Sequence, residues 1–276
     1  MLLERLPRRW TLLGVDPSDI ARTTASRGAA YELHNVMFTQ DFLEEAGLCG
    51  TLDVISGSNC LAHISDLRSV FEAVHSGLRA GGHFWLEVHD SDALLTGAQW
   101  DTIYHEHKAE WGEDSLRHCI LPIGFAHVET QRLPLHGGLI RVCFEKRATQ
   151  NTIPRGGCRP DPRLARLRES YSTRYETPAA KTLAAANQAH RPIAAYGAAG
   201  RASVFLNQLS EIHVDYVVDE SPARVHRFLP RLGTPIVLPE KLVTNPVDAC
   251  LITAWNYKLE IIAKNKGFLG QWLTAF

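Results

Sequence analysis

Short apolar runs along this chain alternate with stretches whose apolar residues fall three and four apart. Residues 10–15, 52–56 and 83–88 are compact apolar runs of the kind buried strands have, and residues 64–79 carry the spacing of an amphipathic helix. Strand and helix in alternation predict a parallel sheet with crossover helices. Two further strand-like runs, 125–135 and 139–145, are separated by His136, Gly137 and Gly138, and so short a connection predicts a hairpin. Residues 163–190 place Leu164, Leu167 and Tyr171 at i, i+3 and i+7 and are rich in Ala and Leu, which predicts one amphipathic helix bridging two domains. The alternation then restarts, with a strand at 192–196, a glycine turn, a helix at 202–210, a strand at 214–219 and βα repeats up to a strand at 251–254. The expected fold class is α/β, a doubly wound sheet followed by a second, smaller Rossmann-like domain.

Composition sharpens the domain limits. Pro154, Gly156, Gly157, Pro160 and Pro162 fall within 151–162, where neither a helix nor a central strand can continue, so the boundary is expected there. The predicted division is 1–150, a linker and bridging helix at 151–190, and a C-terminal domain at 191–276. A chain of 276 residues, 45% of them hydrophobic, can bury two ordinary cores. Its 29 basic and 30 acidic residues give a formal net charge of −1, which offers no general pull toward nucleic acid or anionic lipid. A small-molecule ligand is the better expectation. The 6 cysteines contain no CxxC pair, so no metal site is expected. No leader pattern opens the chain and no apolar stretch approaches the roughly 18 residues of a membrane span, so a reduced, cytoplasmic protein is expected.

The densest candidate chemistry is Trp100-Asp101-Thr102-Ile103-Tyr104-His105-Glu106-His107, just after the strand at 83–88. In a helix, Tyr104 and His107 share a face at i and i+3, whereas His105 and His107 stand about 200° apart. Only one histidine then faces a pocket with Tyr104. An imidazole suits proton abstraction beside a carbonyl, which makes His107 the preferred general base. The plainer alternative is a polar helix start whose histidines cap and solvate.

Two further regions invite ligands. Ala195-Tyr196-Gly197-Ala198-Ala199-Gly200 follows a strand, opens a helix, and is followed 19 positions after Gly200 by Asp219 at the end of the next strand. That is close to a dinucleotide fingerprint, except that Ala195 stands where the first glycine belongs. The alternative is a Rossmann-like turn that only holds strand against helix, with Arg201 placed to meet an anionic group. In the first domain, Asp16 follows the strand ending at 15, where an acid can grip ribose hydroxyls, and Asn59 and His63 lie just past the strand at 52–56. Nothing before Asp16 reads as a strand followed by a glycine loop.

Taken together these residues resemble the SAM-dependent sugar C-methyltransferases that act on nucleotide-linked 4-keto-deoxysugars in antibiotic and surface-polysaccharide pathways. The matching segments are Val15-Asp16-Pro17, Asn59-Cys60-Leu61-Ala62-His63, Asp101 to His107, His136-Gly137-Gly138, Tyr196-Gly197-Ala198, Val217-Val218-Asp219, Arg227-Phe228-Leu229-Pro230 and Ala254-Trp255-Asn256-Tyr257. The resemblance implies a class I methyltransferase sheet and S-adenosyl-L-methionine as cofactor. It implies His107 as base, Tyr104 and Glu106 orienting it or donating to the enolate, and Asp16 and Asn59 on the cofactor. His63, His136, Tyr196 and Arg201 would line the sugar nucleotide side, Arg201 replacing the usual lysine.

Departures from the family are also legible. Family members begin with a cysteine-rich zinc module and an acidic, glycine-rich SAM loop that this chain does not show, so the expectation is a late or shortened start, or lost cofactor binding. Leu139 stands where the family has Ser, and Arg231 where it has Gly. Two alternatives stay open: an NAD-dependent oxidoreductase built on the 195–200 turn and Asp219, and a degenerate homologue that binds a sugar nucleotide without turnover.

Overall fold

The computed structural model describes residues 3–7, 9–19, 31–147 and 161–276. It divides into two compact units: the first takes Met1–Val88, Glu113–Gln131 and Ile140–Arg155, the second His89–Gly112, Arg132–Leu139 and Gly156–Phe276. The cut differs from a single boundary at 150. Two segments inside the first 150 residues group with the C-terminal half because their hydrogen bonds and apolar contacts run to it, as described below. Of the Pro- and Gly-rich stretch, residues 151–160 lie outside the described residues.

In the first unit, β1 (Leu13–Val15) and β2 (Glu32–His34) form a two-stranded parallel sheet. After α1 (Gln40–Glu45), a second sheet has β3 (Leu52–Ser58), α2 (Leu67–Gly77) and β4 (Leu78–His89), with β3 and β4 parallel. Asp66 starts α2 by accepting from the Ser69 amide, which satisfies one otherwise orphaned N–H of the first turn. Phe84, Leu86 and Val88 of β4 are buried and alternate with half-buried Trp85, Glu87 and His89, the period-two pattern of a strand. The chain continues through α3 (Ser91–Gly97), in the second unit, and α4 (Glu113–Ile120) to β5 (Phe125–Leu133) and β6 (Leu139–Lys146). The order in this sheet is β3-β4-β6-β5. Adjacent strands joined by residues 134–138 must run antiparallel, since a parallel return needs a much longer crossover. The predicted hairpin is therefore present.

The second unit is built on a five-stranded sheet. The expected helix at 163–190 is two helices, α5 (Arg163–Ser172) and α6 (Pro178–Gln188). Pro178 disfavours helical backbone at Thr177, whose side chain instead caps α6 by accepting from the Ala180 amide. Then come β7 (Ile193–Tyr196), α7 (Gly200–Gln208), β8 (Tyr216–Val218), β9 (Ile236–Val237), α8 (Lys241–Thr244), β10 (Ala249–Ile252), α9 (Lys258–Lys264) and β11 (Gln271–Thr274). The order is β11-β10-β7-β8-β9, every pair parallel. Central strands β7 and β10 are buried at every position, as the middle of a parallel sheet covered on both faces requires. Ile193, Ala195, Val217 and Leu251 pack on one face with Leu183, Phe205, Leu206 and Trp100, whose ring stacks on Phe205 at 4.9 Å and 10°. Ala194, Tyr196, Tyr216 and Ile252 pack on the other face with Ile261 and Phe268. Removing Phe205 to Ala would cost about 3–5 kcal/mol by the usual cavity penalty. No helix among the described residues is long and apolar enough to cross a membrane.

Candidate active site

In the five-stranded sheet the chain leaves β7 toward β8 on one side, while β10 lies on the other. Open α/β sheets bind ligands outside the carboxyl ends of strands at such a reversal. Past β7 comes the Gly197–Ala199 turn and then Arg201 in the first turn of α7; past β10 come Thr253, Ala254 and the 3₁₀ turn Trp255–Tyr257. Gly197 has φ +110, and a Cβ there would stand 2.9 Å from Thr253 Oγ1, so this turn needs a glycine. Arg201 and Trp255 converge on Asp101, which is fully buried. Arg201 donates to both carboxylate oxygens at 3.0 Å, from Nε and Nη2, and Trp255 Nε1 donates to Oδ2 at 3.3 Å. The remaining Arg201 donors reach the His136 carbonyl at 2.9 Å and Gln99 Oε1 at 3.3 Å, and its guanidinium lies 4.9 Å from the Trp255 ring centre. Bidentate, charge-assisted bonding of this kind fixes orientation strongly. Arg201, expected on the sugar nucleotide side, is here the clamp that holds the 99–101 segment and the 134–138 turn.

Next in the chain is the predicted base. Residues 100–107 are a 3₁₀ turn, Trp100–Thr102, followed by a β-turn, and not a helix, because Ile103 is extended after Asp101 is pinned. The β-turn closes through the His107 amide donating to the Tyr104 carbonyl at 3.0 Å. It gives the same pairing a helix would: the rings of Tyr104 and His107 lie 4.3 Å apart, centre to centre. The exposed His105 imidazole stands apart, 3.9 Å from Glu106. Glu106 is exposed as well.

The carboxylate on His107 is Glu110, which the sequence reading did not single out. His107 Nδ1 lies 2.9 Å from Glu110 Oε1, and His89 Nδ1 lies 3.6 Å from Glu110 Oε2. Burial works to raise the Glu110 carboxyl, but the bond to His107 and the attraction of both imidazoles hold it below its ordinary value. An ionised carboxylate only accepts, so His107 Nδ1 carries the proton and donates. Burial, then the nearby Glu106 and Glu110 carboxylates, push the Tyr104 phenol up, which keeps it a neutral donor near pH 7.

The other predicted residues fall in different places. His136, at φ +53 in the 134–138 turn, shares a 2.7 Å hydrogen bond between its Nδ1 and Tyr257 Oη, beside the clamp. Tyr196 turns away from it into the core, donating to Glu220 Oε1 at 2.9 Å and pushed up to about 12, chiefly by burial. Asp219 accepts from the Ala198 amide and Arg224 Nε on one oxygen and from the Ser221 amide on the other. Burial would raise it, yet those donors hold its carboxyl below the ordinary range. The Tyr104 phenol lies over the start of α7, 3.3 Å from where a Gly200 Cβ would be. A dinucleotide would meet an acid already bonded and a helix start already covered.

The first unit gathers a separate set. Asp16, exposed at the end of β1, accepts from the Ser18 amide at 2.8 Å. Asn59 follows β3 at φ +53, its backbone amide donating to the Glu87 carbonyl at 2.8 Å, and exposed His63 ends a 3₁₀ turn anchored by buried Leu61. Cys60 is pushed up by burial and also by the Asp16 charge, so Asp16 lies near the Asn59–Cys60 turn. A carboxylate for a ribose diol and a turn amide at the carboxyl ends of parallel strands fit the ribose and amino-acid ends of an adenosyl cofactor. Asp16 and Asn59 would hold it.

A parallel β3–β4 pair continued by a hairpin, then a second, all-parallel sheet, makes this an α/β protein with a Rossmann-like C-terminal sheet. Comparison with known proteins makes this specific. Residues 1–130 match the family described as methyltransferase domain, and residues 165–276 match the C-methyltransferase C-terminal domain. The two matches follow one another along the chain, the methyltransferase domain first and the C-methyltransferase C-terminal domain second. C-methyltransferase NovU of Streptomyces niveus is 28% identical over 279 residues, an overlap of 94% of this chain and 64% of NovU, so the chain spans under two thirds of that relative's length. Partial likeness extends to a SAM-dependent methyltransferase from Archaeoglobus fulgidus (11% identity, TM-score 0.41, 49% of this chain and 75% of that one). Another is one from Mesorhizobium loti (14%, TM-score 0.37, 49% and 80%).

Proposed function

We propose that this chain is a SAM-dependent C-methyltransferase acting on a nucleotide-linked 4-keto-deoxysugar, with His107 as the general base. The observation that carries the reading is the Tyr104–His107–Glu110 group: a ring nitrogen held by a carboxylate at 2.9 Å, against a phenol that stays protonated. A C–H beside a ketone is acidified because its electron pair delocalises onto oxygen. His107 Nε2 takes the proton, and the neutral Tyr104 phenol donates to the developing enolate oxygen. When bound, S-adenosyl-L-methionine supplies an electrophilic methyl on a sulfonium; Asp16 and Asn59 are the residues assigned to hold it. The Asp101–Arg201–Trp255 clamp fixes the turn that presents Tyr104 and His107, and His136 and Tyr257 lie beside it for the sugar nucleotide. The kinship with NovU supports the C-methylation half of the reading; the sugar half rests on the residue pattern. A cytoplasmic setting goes with it, since Cys49, Cys60, Cys119, Cys143 and Cys250 are all free thiols.

The test is incubation with S-adenosyl-L-methionine and dTDP-4-keto-6-deoxyglucose in deuterated water. Expected are a C-methylated product and, without cofactor, solvent deuterium at the carbon beside the ketone. Neither product nor deuterium would reject the reading.

A further inference from the structure

Glu110 stands between two imidazoles that reach it from different segments. His89 is the last residue of β4, on its half-buried face, and His107 closes the turn after Ile103. Their side chains are mostly shielded, 14% exposed for His89, 15% for His107 and 21% for Glu110. One carboxylate oxygen bonds His107 at 2.9 Å; the other faces His89 Nδ1 at 3.6 Å, and both ring nitrogens of His89 are buried with no hydrogen-bond partner. A carboxylate that only anchored the loop would be met by backbone amides or a permanent cation, as Asp219 is. Glu110 meets titratable rings, one of them the assigned base.

We propose that Glu110 is the positioning residue for His107: its Oε1 fixes the ring as the Nδ1–H tautomer, so that Nε2 is the basic nitrogen, and its Oε2, flanked by His89, keeps the carboxylate in that orientation. The inference rests on the reading of His107 as base. In the proton step the substrate C–H bond breaks, its electron pair moves onto the keto oxygen, and the proton joins Nε2. The positive ring that results lies against the Glu110 anion, which stabilises it as it forms. The other charged or titratable groups around this pair are His89, Tyr104 and Glu106, with Asp101 and Arg201 beyond Tyr104; Asp90, next to His89, faces Arg132 at 3.7 Å. Glu110 bonds the 107 ring nitrogen at 2.9 Å, and a charge at that distance weighs heavily on the ring.

The experiment measures deuterium uptake from solvent into dTDP-4-keto-6-deoxyglucose by the full chain and by Glu110→Gln, Glu110→Asp and His107→Ala, each across pH. Glu110→Gln should lower kcat for exchange about 10- to 100-fold with KM little changed, as loss of an orienting partner does. Because the neutral amide no longer favours the charged ring, the acid limb of its profile should also move to lower pH by about one unit. Glu110→Asp, which keeps the charge, should hold the acid limb where the unaltered chain has it. Wild-type kcat and an unmoved limb in Glu110→Gln, with exchange lost in His107→Ala, would overturn the positioning role and leave the base reading intact. Exchange persisting in His107→Ala would overturn the base reading itself. If Glu110→Gln does not fold, ¹⁵N-histidine NMR of the unaltered chain decides: a neutral His107 protonated at Nδ1 supports the proposal, and one protonated at Nε2 rejects it.

Discussion

Asp219 and Glu110 are two acids of the same unit, each sheltered from water and each held below its ordinary ionisation range, yet their surroundings separate them. Asp219 is met by Arg224 and by the amides of Ala198 and Ser221, donors whose protonation never changes in the working range. Glu110 is met by two imidazoles. The first arrangement builds a turn; the second can take part in moving a proton. Perturbed ionisation alone would rank the two acids together, and the identity of the donors is what tells a structural carboxylate from one poised for chemistry.

The largest separation should come from changing the groups themselves. His107→Ala is expected to lower deuterium exchange by about 100- to 10,000-fold, the usual worth of a general base, far more than the modest loss of stability from leaving Glu110 without its bonded partner can explain. Exchange within a few-fold of the unaltered chain would remove the distinction drawn for Glu110. Asp219→Ala should do the reverse. It leaves the Ala198 and Ser221 amides without their acceptor and should lower stability by about 2 kcal/mol in urea unfolding, discounted because Arg224 is itself partly exposed. Exchange per folded molecule should stay within about twofold, since no proton of the reaction passes through that acid.

Part of this contrast was legible in the sequence. The strands at 52–56, 83–88, 192–196 and 251–254, and the hairpin, follow from apolar runs and glycine turns, and all appear within a few residues of the expected limits. Tyr104 and His107 were correctly paired on one side with His105 outside, though by a β-turn where a helix was expected; a hydrogen bond from residue i+3 to i brings the same two side chains together in either form. The partners of the site were not legible. Asp101 and Arg201 are 100 positions apart, and nothing local signals that a buried acid will meet that guanidinium. His89 reads as the polar end of a strand and Glu110 as a loop acid, and only the fold brings them together. The 195–200 turn shows the converse error: the glycine pattern and Asp219 formed as a fingerprint predicts, and their polar groups were then satisfied by the protein itself.

Acid titration sharpens the comparison at a smaller scale. Both carboxyls are depressed from ordinary values of 3.8 for Asp219 and 4.5 for Glu110, so each contributes stability that is present above its unfolded value and lost as pH falls through the lower folded one. The stability difference between the unaltered chain and Asp219→Asn should therefore hold steady from pH 7 down to about 5 and shrink below about pH 4. A difference that instead disappears between pH 7 and 6 would mean that an imidazole, not the carboxylate, governs that turn.

The smallest effects test what the comparison leaves outside the site. NAD(H) at millimolar concentration should not raise the unfolding midpoint, because Asp219 is already bonded and the Tyr104 phenol covers the start of α7; a ligand present at 100 times its Kd would stabilise by about 2.7 kcal/mol, which is readily seen. His105→Ala should change exchange by less than about twofold and stability by less than about 0.5 kcal/mol, as for a surface position without buried contacts. Its side chain is 88% exposed against 15% for His107 two residues on. Equal loss from the two alanine variants would mean that the turn as a whole, and not the ring held by Glu110, carries the activity. A loss confined to His107 ties the chemistry to the one imidazole of this segment whose tautomer a carboxylate fixes.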